Sequence, residues 1–447
     1  MSPHDRTFGP LHRLFEVPAL VNRLAAAGMD PREAGAKAEL FANAARVLSA
    51  GGKNDHRPAF ALFVPGRIEV LGKHTDYCGG RSVLCTVARG MCFVALPEPH
   101  PQIAFHALEL NETAALKMDP DLVPAAGHWS NYPMTVARRV ARNFPGALTG
   151  AQIALASDLP PAAGLSSSSA LIIGTFLVIS ALNNLTQRPE FIGNIKSSED
   201  LAAYLGCCEN GQTFGTLAGD CGVGTFGGSQ DHTAILCSKP GRIVQYRFCP
   251  VHYEQDMPLP NDLTFVIAPS GVTAEKTGAA LEQYNAISAR ARRLVELWNA
   301  AHSQRCTCLA HIVASRPDAA DQLAAIITAN AAPDEQLPLQ LRLEQFVTES
   351  DHIIPHAADA IRRHDWAALG QLVDQSHQRA ATHLNNQVDQ TNRLQRMLRD
   401  AGAIAASGFG AGFGGSVWAL VKSELAPAIL ERTGGFASRP SCAVTII

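Results

Sequence analysis

Apolar positions along the chain follow two rhythms, one helical and one extended. Leu14, Val17, Leu20, Val21 and Leu24 recur near helical spacing, and Asp30-Pro31 opens a second helix, so residues 12–50 are predicted helical. Residues 59–64 form a short apolar run, expected to be a strand that stops at Pro65-Gly66. A glycine-rich segment, 66–80, precedes a second predicted strand, 82–87, and 93–115 reads as strands with turns. Trp129, Tyr132, Val136 and Val140 belong on a helix. Then come a strand at 151–156, a loop at 158–164, a helix at 166–181 opened by its own serines, and a helix at 201–211. A glycine-rich loop, 215–228, leads to strand signals at 234–236 and 243–248. The proline-rich stretch 250–260 marks a candidate domain boundary. Beyond it lie a strand at 263–268, long helical patterns over 274–303 and much of 316–401, a glycine-rich hinge at 408–415 and a strand at 417–421. Strands and helices mix without regular βαβ alternation, which favours an α+β class.

Composition sharpens this picture. With 447 residues the chain has room for two or three domains. Its 17% charged residues fall below the usual ~25%, so a large core can form and disorder as the dominant state is excluded. Formal net charge is -3 and no long basic run occurs, which argues against nucleic acid or an anionic membrane as partner. The 11 cysteines include no C-x-x-C and read as free thiols of a reducing compartment. Residues 1–28 show no basic stretch followed by an apolar run, and the longest apolar stretch, 170–182, is too short for the ~20 residues of a membrane span. A soluble cytoplasmic protein is expected, its oligomeric state open with a monomer favoured.

Three glycine-rich segments carry the candidate chemistry. In the central one, Gly164-Leu165-Ser166-Ser167-Ser168-Ser169 opens an apolar helix. Glycine permits close backbone approach, and free N–H groups at a helix start form an anion site. A serine-capped core helix without a ligand is the alternative. The first segment packs Arg67, Lys73, His74 and Asp76 between glycines, a donor and acceptor set suited to a polyhydroxylated ligand, or simply a solvated charged loop. The third, Gly408 to Gly415, precedes a strand and does not follow one, so a dinucleotide-binding reading fails.

Together these segments resemble the GHMP kinases, the superfamily of galactokinase, homoserine kinase, mevalonate kinase and phosphomevalonate kinase, and within it the galactokinase-like branch. Residues 66–77 follow that branch's Gly-Arg-x-Asn-Leu-Ile-Gly-Glu-His-Thr-Asp-Tyr signature with two departures, 161–168 resemble its phosphate loop, and 408–415 its closing glycine motif. Trp129-Ser-Asn-Tyr132 and Ser376-His377 resemble smaller motifs. The resemblance implies an N-terminal ribosomal-S5-like α/β domain (1–255, with extra helices before 59), a C-terminal ferredoxin-like α+β domain (256–447), and a site in the cleft between them. It implies phosphoryl transfer from ATP, with Mg²⁺, to the C1 hydroxyl of galactose or a close relative.

The resemblance also implies roles. Arg67 would stabilise the transferred group and Asp231 would accept or orient the sugar hydroxyl proton. Lys73, His74, Asp76 and Tyr284 would contact sugar. Trp129, Gly164, Leu165, Ser166, Ser167, Ser168 and Ser169 would bind ATP, and Ser168 and Glu209 would hold the metal. The departures are Glu69 for asparagine and Lys73 for the sugar-binding glutamate. Lysine offers three donors and no acceptor, so a sugar altered at C6, such as a uronic acid, is one expectation. The other is that Lys73 pairs with Glu69 or Asp76 and galactose still binds. A non-catalytic sugar sensor on the same fold is a further alternative. His352, His356, His364, His377 and His383 read as surface or capping residues.

Overall fold

The computed structural model describes residues 8–161, 163–273 and 278–447. Among these, nine strands build a large sheet with the central order Gly9–Pro10, Pro58–Leu71, Arg81–Glu98, Gly150–Ser157, Gln102–Ala107, Glu112–Lys117. Only Gln102–Ala107 beside Gly150–Ser157 is a parallel pair. The sheet is covered on both faces, and period-2 alternation shows how. Phe60, Leu62, Val64, Phe93 and Leu155 enter the main core with the helices Asn131–Asn143, Ser167–Asn183 and Ser198–Asn210. Ala61, Phe63, Cys92, Val94 and Ala154 face the other way, onto the N-terminal helices Val17–Ala26 and Pro31–Ser49. Those extra helices therefore roof the back of the sheet and not the cleft. Lys37 at their centre is fully buried and ion-paired to Asp158, which also accepts from Gly90 N at 2.8 Å, just ahead of the serine-rich loop.

Helix Ser167–Asn183 is buried over most of its surface and carries no charged residue, as suits a helix inside a core. A second, four-stranded antiparallel sheet runs in the order Ala405–Gly408, Ser416–Lys422, Leu263–Pro269, Phe436–Ser438. Phe265, Ile267, Trp418 and Leu420 on one of its faces join the main core. Val266, Ala268, Val417 and Ala419 on the other pack against helices Asp389–Asp400 and Ala426–Thr433. The two sheets thus share one apolar interior, which fixes the cleft between them.

Three expectations change. The first strand does not stop at Pro65-Gly66 but runs on to Leu71, with register shifts between Pro65 and Arg67 and between Glu69 and Leu71. Proline cannot donate to the ladder, and the irregularity absorbs that loss without ending the strand. The strand expected at 234–236 is part of helix Gln230–Cys237, a short apolar run whose period could not decide. The boundary expected at 255/256 falls inside strand His252–Pro258, which stays on the large sheet, and Thr445–Ile446 returns there to pair with Phe63 and Leu62. Residues 274–277 of the helix expected from 274 lie outside the described residues; the helix runs Gly278–Ala301. Among the described residues no helix is long and apolar enough to cross a membrane.

The back layer should matter to stability as much as the main core does. Phe63 is fully buried between sheet and N-terminal helices. Phe63→Ala should cost about 3–5 kcal/mol in chemical denaturation, by lost transfer energy plus the cavity left behind. A loss under about 1 kcal/mol would mean that the helices are loosely attached.

Candidate active site

The two register shifts bracket Arg67 and Glu69, and they turn that stretch of strand toward the cleft. Arg67 is 3% exposed. Its Nε donates to Asp231 Oδ1 at 2.7 Å, and its Nη1 donates to the carbonyl of Gly164 at 2.6 Å. Ser166 Oγ donates to the second Asp231 oxygen at 2.6 Å. Asp231 sits in the first turn of helix Gln230–Cys237, where the helix dipole favours a carboxylate. Three segments far apart in sequence thus meet at one carboxylate. Burial acts to lower the Arg67 pKa, but Asp231 outweighs it and raises it, so the guanidinium stays charged.

Two cavities meet at this point. A polar recess of about 50 Å³ is lined by Glu69, His74, Asp76, Glu209 and Gln230. A larger, mainly apolar cavity of about 670 Å³ is lined by Trp129, Tyr132, Leu155, Leu171, Phe409 and Phe413, with Gly164 to Ser168 along its wall. Arg67, Asp231, Tyr284 and Ala411 border both. Phe409 lies with its ring centroid 5.9 Å from the Arg67 guanidinium. Neither phenylalanine was expected in the site; they stand inside the glycine motif, whose aromatics gave no periodic signal. Gly410 takes a φ of 74°, and a Cβ there would come within 3.2 Å of the Gly164 carbonyl, so both backbone angle and close approach to the serine-rich loop favour glycine.

The signature turn forms the far wall of the recess. His74 accepts from Tyr77 OH at Nδ1 (2.8 Å) and donates from Nε2 to the Ala411 carbonyl (3.3 Å). Its ring lies 5.2 Å from that of Tyr284. Asp76 Oδ2 accepts from Gln230 N at 3.0 Å, and burial raises the Asp76 pKa. Arg342, fully buried, donates to the His74 carbonyl and clamps the turn from the C-terminal half. Sequence reasoning missed Arg342 and Gln230, neither of which lies in a glycine-rich segment.

The residues expected to meet ATP and metal divide between the two cavities. Ser166, Ser167 and Ser168 line the large cavity, but Ser169 is fully buried, lines the recess instead, and donates to Glu209 Oε2 at 2.9 Å. Ser169 holds the Glu209 carboxylate, because the fourth serine falls on the inward face of the first helical turn. His232 Nε2 lies 3.2 Å from the same oxygen. Among the described residues no group of three or more His, Cys, Asp or Glu is placed to hold a metal. One buried carboxylate beside serine hydroxyls fits Mg²⁺ that draws its remaining oxygens from phosphate and water.

Lys73 departs furthest from its expectation. It is 1% exposed and does not line the recess. Its Nζ donates to Ser376 Oγ at 3.4 Å, and Ser376 Oγ donates to Glu349 Oε1 at 2.9 Å, which also accepts from Gly72 N at 2.8 Å. Glu69 feels Lys73 and Arg67 as opposite charges. The lysine therefore sits in an internal network among buried carboxylates, and the uronic acid expectation loses its structural basis. His377 is not a surface residue either. Burial lowers its pKa to about 4, its Nε2 donates to Asn392 Oδ1 at 3.0 Å, and its Nδ1 accepts from Gly408 N at 3.3 Å, which anchors the closing glycine motif.

A buried arginine and carboxylate at the junction of a polar recess and an apolar cavity, with a serine-rich helix start on the wall, define a two-substrate group-transfer site. The chain matches the family models described as GHMP kinases N terminal domain over 131–236, GHMP kinases C terminal over 357–433, and Galactokinase galactose-binding signature over 52–97. It belongs to the GHMP kinases, and within them it is galactokinase-like. A galactokinase of Roseiflexus sp. is 27% identical over 403 residues, 86% of this chain and 91% of its own length. One from Glaesserella parasuis is 25% identical over 377 residues, 82% of this chain and 86% of its own. The crystal structure of Lactococcus lactis galactokinase complexed with galactose superposes with a TM-score of 0.71 at 18% identity, covering 90% of this chain and 99% of that one. Methanococcus jannaschii mevalonate kinase gives 0.53 at 14% identity, covering 85% of this chain and 98% of that one. The two structures share the two-domain α+β fold.

Two outcomes test the electrostatics. Lys73→Glu, which restores the signature residue, should destabilise the fold by at least about 3 kcal/mol, because it removes the cation and adds a further buried carboxylate; Lys73→Met removes the cation only and should cost less. Equal stabilities of the two variants in denaturant would show that the network does not depend on the ammonium. Burial pushes the Glu69 carboxyl up to about 7 from an ordinary 4.5. The folded state then holds a proton that the unfolded state releases, so this residue's contribution to stability is complete below about 4.5 and is lost as pH rises through 7. The gap in unfolding free energy between wild type and Glu69→Gln should shift by roughly 1–3 kcal/mol in favour of the variant between pH 5 and 8. A constant gap would contradict the assignment.

Proposed function

We propose that this protein transfers the γ-phosphoryl group of ATP to the C1 hydroxyl of galactose. The observation that carries this reading is the position of Arg67 and Asp231, bonded to each other on the border of both cavities. The large apolar cavity suits a purine, with Trp129, Phe409 and Phe413 as aromatic walls and the Gly164 to Ser168 backbone beside the phosphates. The polar recess suits a sugar, met by His74, Asp76 and Tyr284.

Each residue then has a defined task. Asp231, held by Arg67 and Ser166, accepts the proton of the reacting hydroxyl and orients its oxygen. Arg67 places a fixed positive charge where charge develops on the moving phosphoryl group, and burial strengthens that interaction. Glu209 would hold Mg²⁺, with the Ser168 hydroxyl on the cavity side; the bound ion neutralises phosphate charge. Ser169 fixes the rotamer of Glu209. Transfer of this kind is achieved mainly by positioning and charge neutralisation, and the geometry supplies both. The intact arginine–aspartate pair favours an enzyme over a sugar sensor.

The direct test is ATP consumption with galactose and Mg²⁺, followed by identification of the phosphorylated position. Wild type should turn over galactose. Asp231→Asn should lower kcat by about 10²–10⁴-fold while leaving ATP binding intact. Absence of turnover in wild type, or full activity in Asp231→Asn, would overturn the reading.

A further inference from the structure

Glu69 stands where the family signature carries asparagine, and it differs from the other carboxylates of the recess in one respect. It lies two positions along the strand from Arg67, between the two register shifts, and it lines the polar recess together with His74, Asp76, Gln230, Asp231 and Tyr284. The residue is 2% exposed. Its Oε2 accepts from Gln230 Nε2 at 2.6 Å. Its Oε1 is buried and has no hydrogen-bond partner. Buried oxygens without a partner are rare, because desolvating an acceptor that makes no hydrogen bond is costly.

The neighbouring charges do not supply that bond. Arg67 is committed to Asp231 and the Gly164 carbonyl. Lys73 acts on Glu69 through space, but its ammonium donates to Ser376. From helix Gln230–Cys237, Gln230 serves the other oxygen and Asp231 is itself an acceptor. Once Glu69 is ionised, above about pH 7, what the recess lacks is a donor at Oε1, and a sugar hydroxyl is one.

We infer that Glu69 reads the substrate: Oε1 accepts the O–H of one non-reacting hydroxyl of the sugar, which makes Glu69 a specificity residue of this chain. The inference rests on the sugar-kinase reading above and goes beyond it, because it transfers the acceptor role from the signature position at 73 to the one at 69. It also selects a chemical class. The recess presents Glu69, Asp76, Glu209 and Asp231 against one engaged arginine, so it takes a neutral, hydroxyl-rich hexose and repels a sugar carboxylate.

The test compares kcat and KM of wild type, Glu69→Gln and Glu69→Asn on galactose and its 2-, 3-, 4- and 6-deoxy counterparts, with folding of each variant checked by thermal unfolding. A site built to bond a hydroxyl rejects the analogue that lacks it. In wild type, removal of the hydroxyl read by Glu69 should raise KM at least about 10-fold. In Glu69→Asn, whose shorter side chain withdraws the acceptor, that one penalty should shrink to within about 2-fold, while those at the other positions persist. Glu69→Gln keeps the shape and exchanges a charged acceptor for a neutral one, so it should weaken the same penalty several-fold even if the asparagine variant does not fold. Variants that lose activity equally on all five sugars, or that keep the wild-type profile, would overturn the inference and leave Glu69 as an internal partner of Lys73. If wild type phosphorylates none of the sugars, the sugar-kinase reading falls first and the inference falls with it.

Discussion

The structure is organised around one buried positive charge. A guanidinium 3% exposed on a strand is tolerable only if its donors are satisfied, and Arg67 is satisfied by parts of the chain that are remote from it. Asp231 comes from the first turn of a helix, 164 residues away in sequence, and the Gly164 carbonyl from the serine-rich loop. Gly410 of the closing motif then lies against both the loop and the arginine. Satisfying one cation therefore draws together the three glycine-rich segments that the sequence scatters. The same pairing places the carboxylate on the border of the two cavities. Stability and chemistry make the same demand on this site, and a change that relieves the buried charge would remove the electrophilic group along with it.

The signature departures are best understood as one rearrangement rather than two. At 69 a neutral residue becomes acidic, and at 73 an acidic residue becomes basic. Taken separately, each would bury an uncompensated charge. Together they place opposite charges within electrostatic reach of each other, with Glu349 and Ser376 completing the lysine's surroundings. The sequence shows the pair of changes but not their geometry. A lysine in a sugar-binding signature suggested an acidic ligand because its ammonium was assumed to face the cleft. In the fold it faces inward, and the glutamate faces the recess instead.

Much of the site was legible before the fold because its groups lie in local motifs. Arg67, His74, Asp76 and the serine run sit in short glycine-rich segments whose composition marks a ligand-facing turn, and each borders the cleft. Asp231 and Glu209 followed from order along the chain. What could not be read was whatever depends on the phase of a short element. The run at 234–236 fits a strand as well as a helix, and only tertiary packing decided it. Which serine meets Glu209 is a question of one helical step, about 100° of rotation. Arg342 and Gln230 carry no local signal at all, since a buried polar residue is recognised by its partners and those are long-range.

The N-terminal helices show how far the constraint reaches. A sheet buried on both faces needs apolar residues at consecutive positions, and 59–64 has them, a pattern that already distinguishes it from a half-exposed strand. The roof that this pattern requires is supplied by residues 17–49, tied through Lys37 to Asp158 at the entrance to the serine-rich loop. The loop must hold the Gly164 carbonyl on Arg67 while Ser166, two residues on, sits in the left-handed region at a φ of 63°, a strained conformation for a residue with a side chain. A loop carrying that strain needs a fixed point of departure, and a carboxylate bonded at once to the Gly90 backbone and to a buried lysine provides it. The back layer is thus continuous, through Asp158, with the geometry around Arg67.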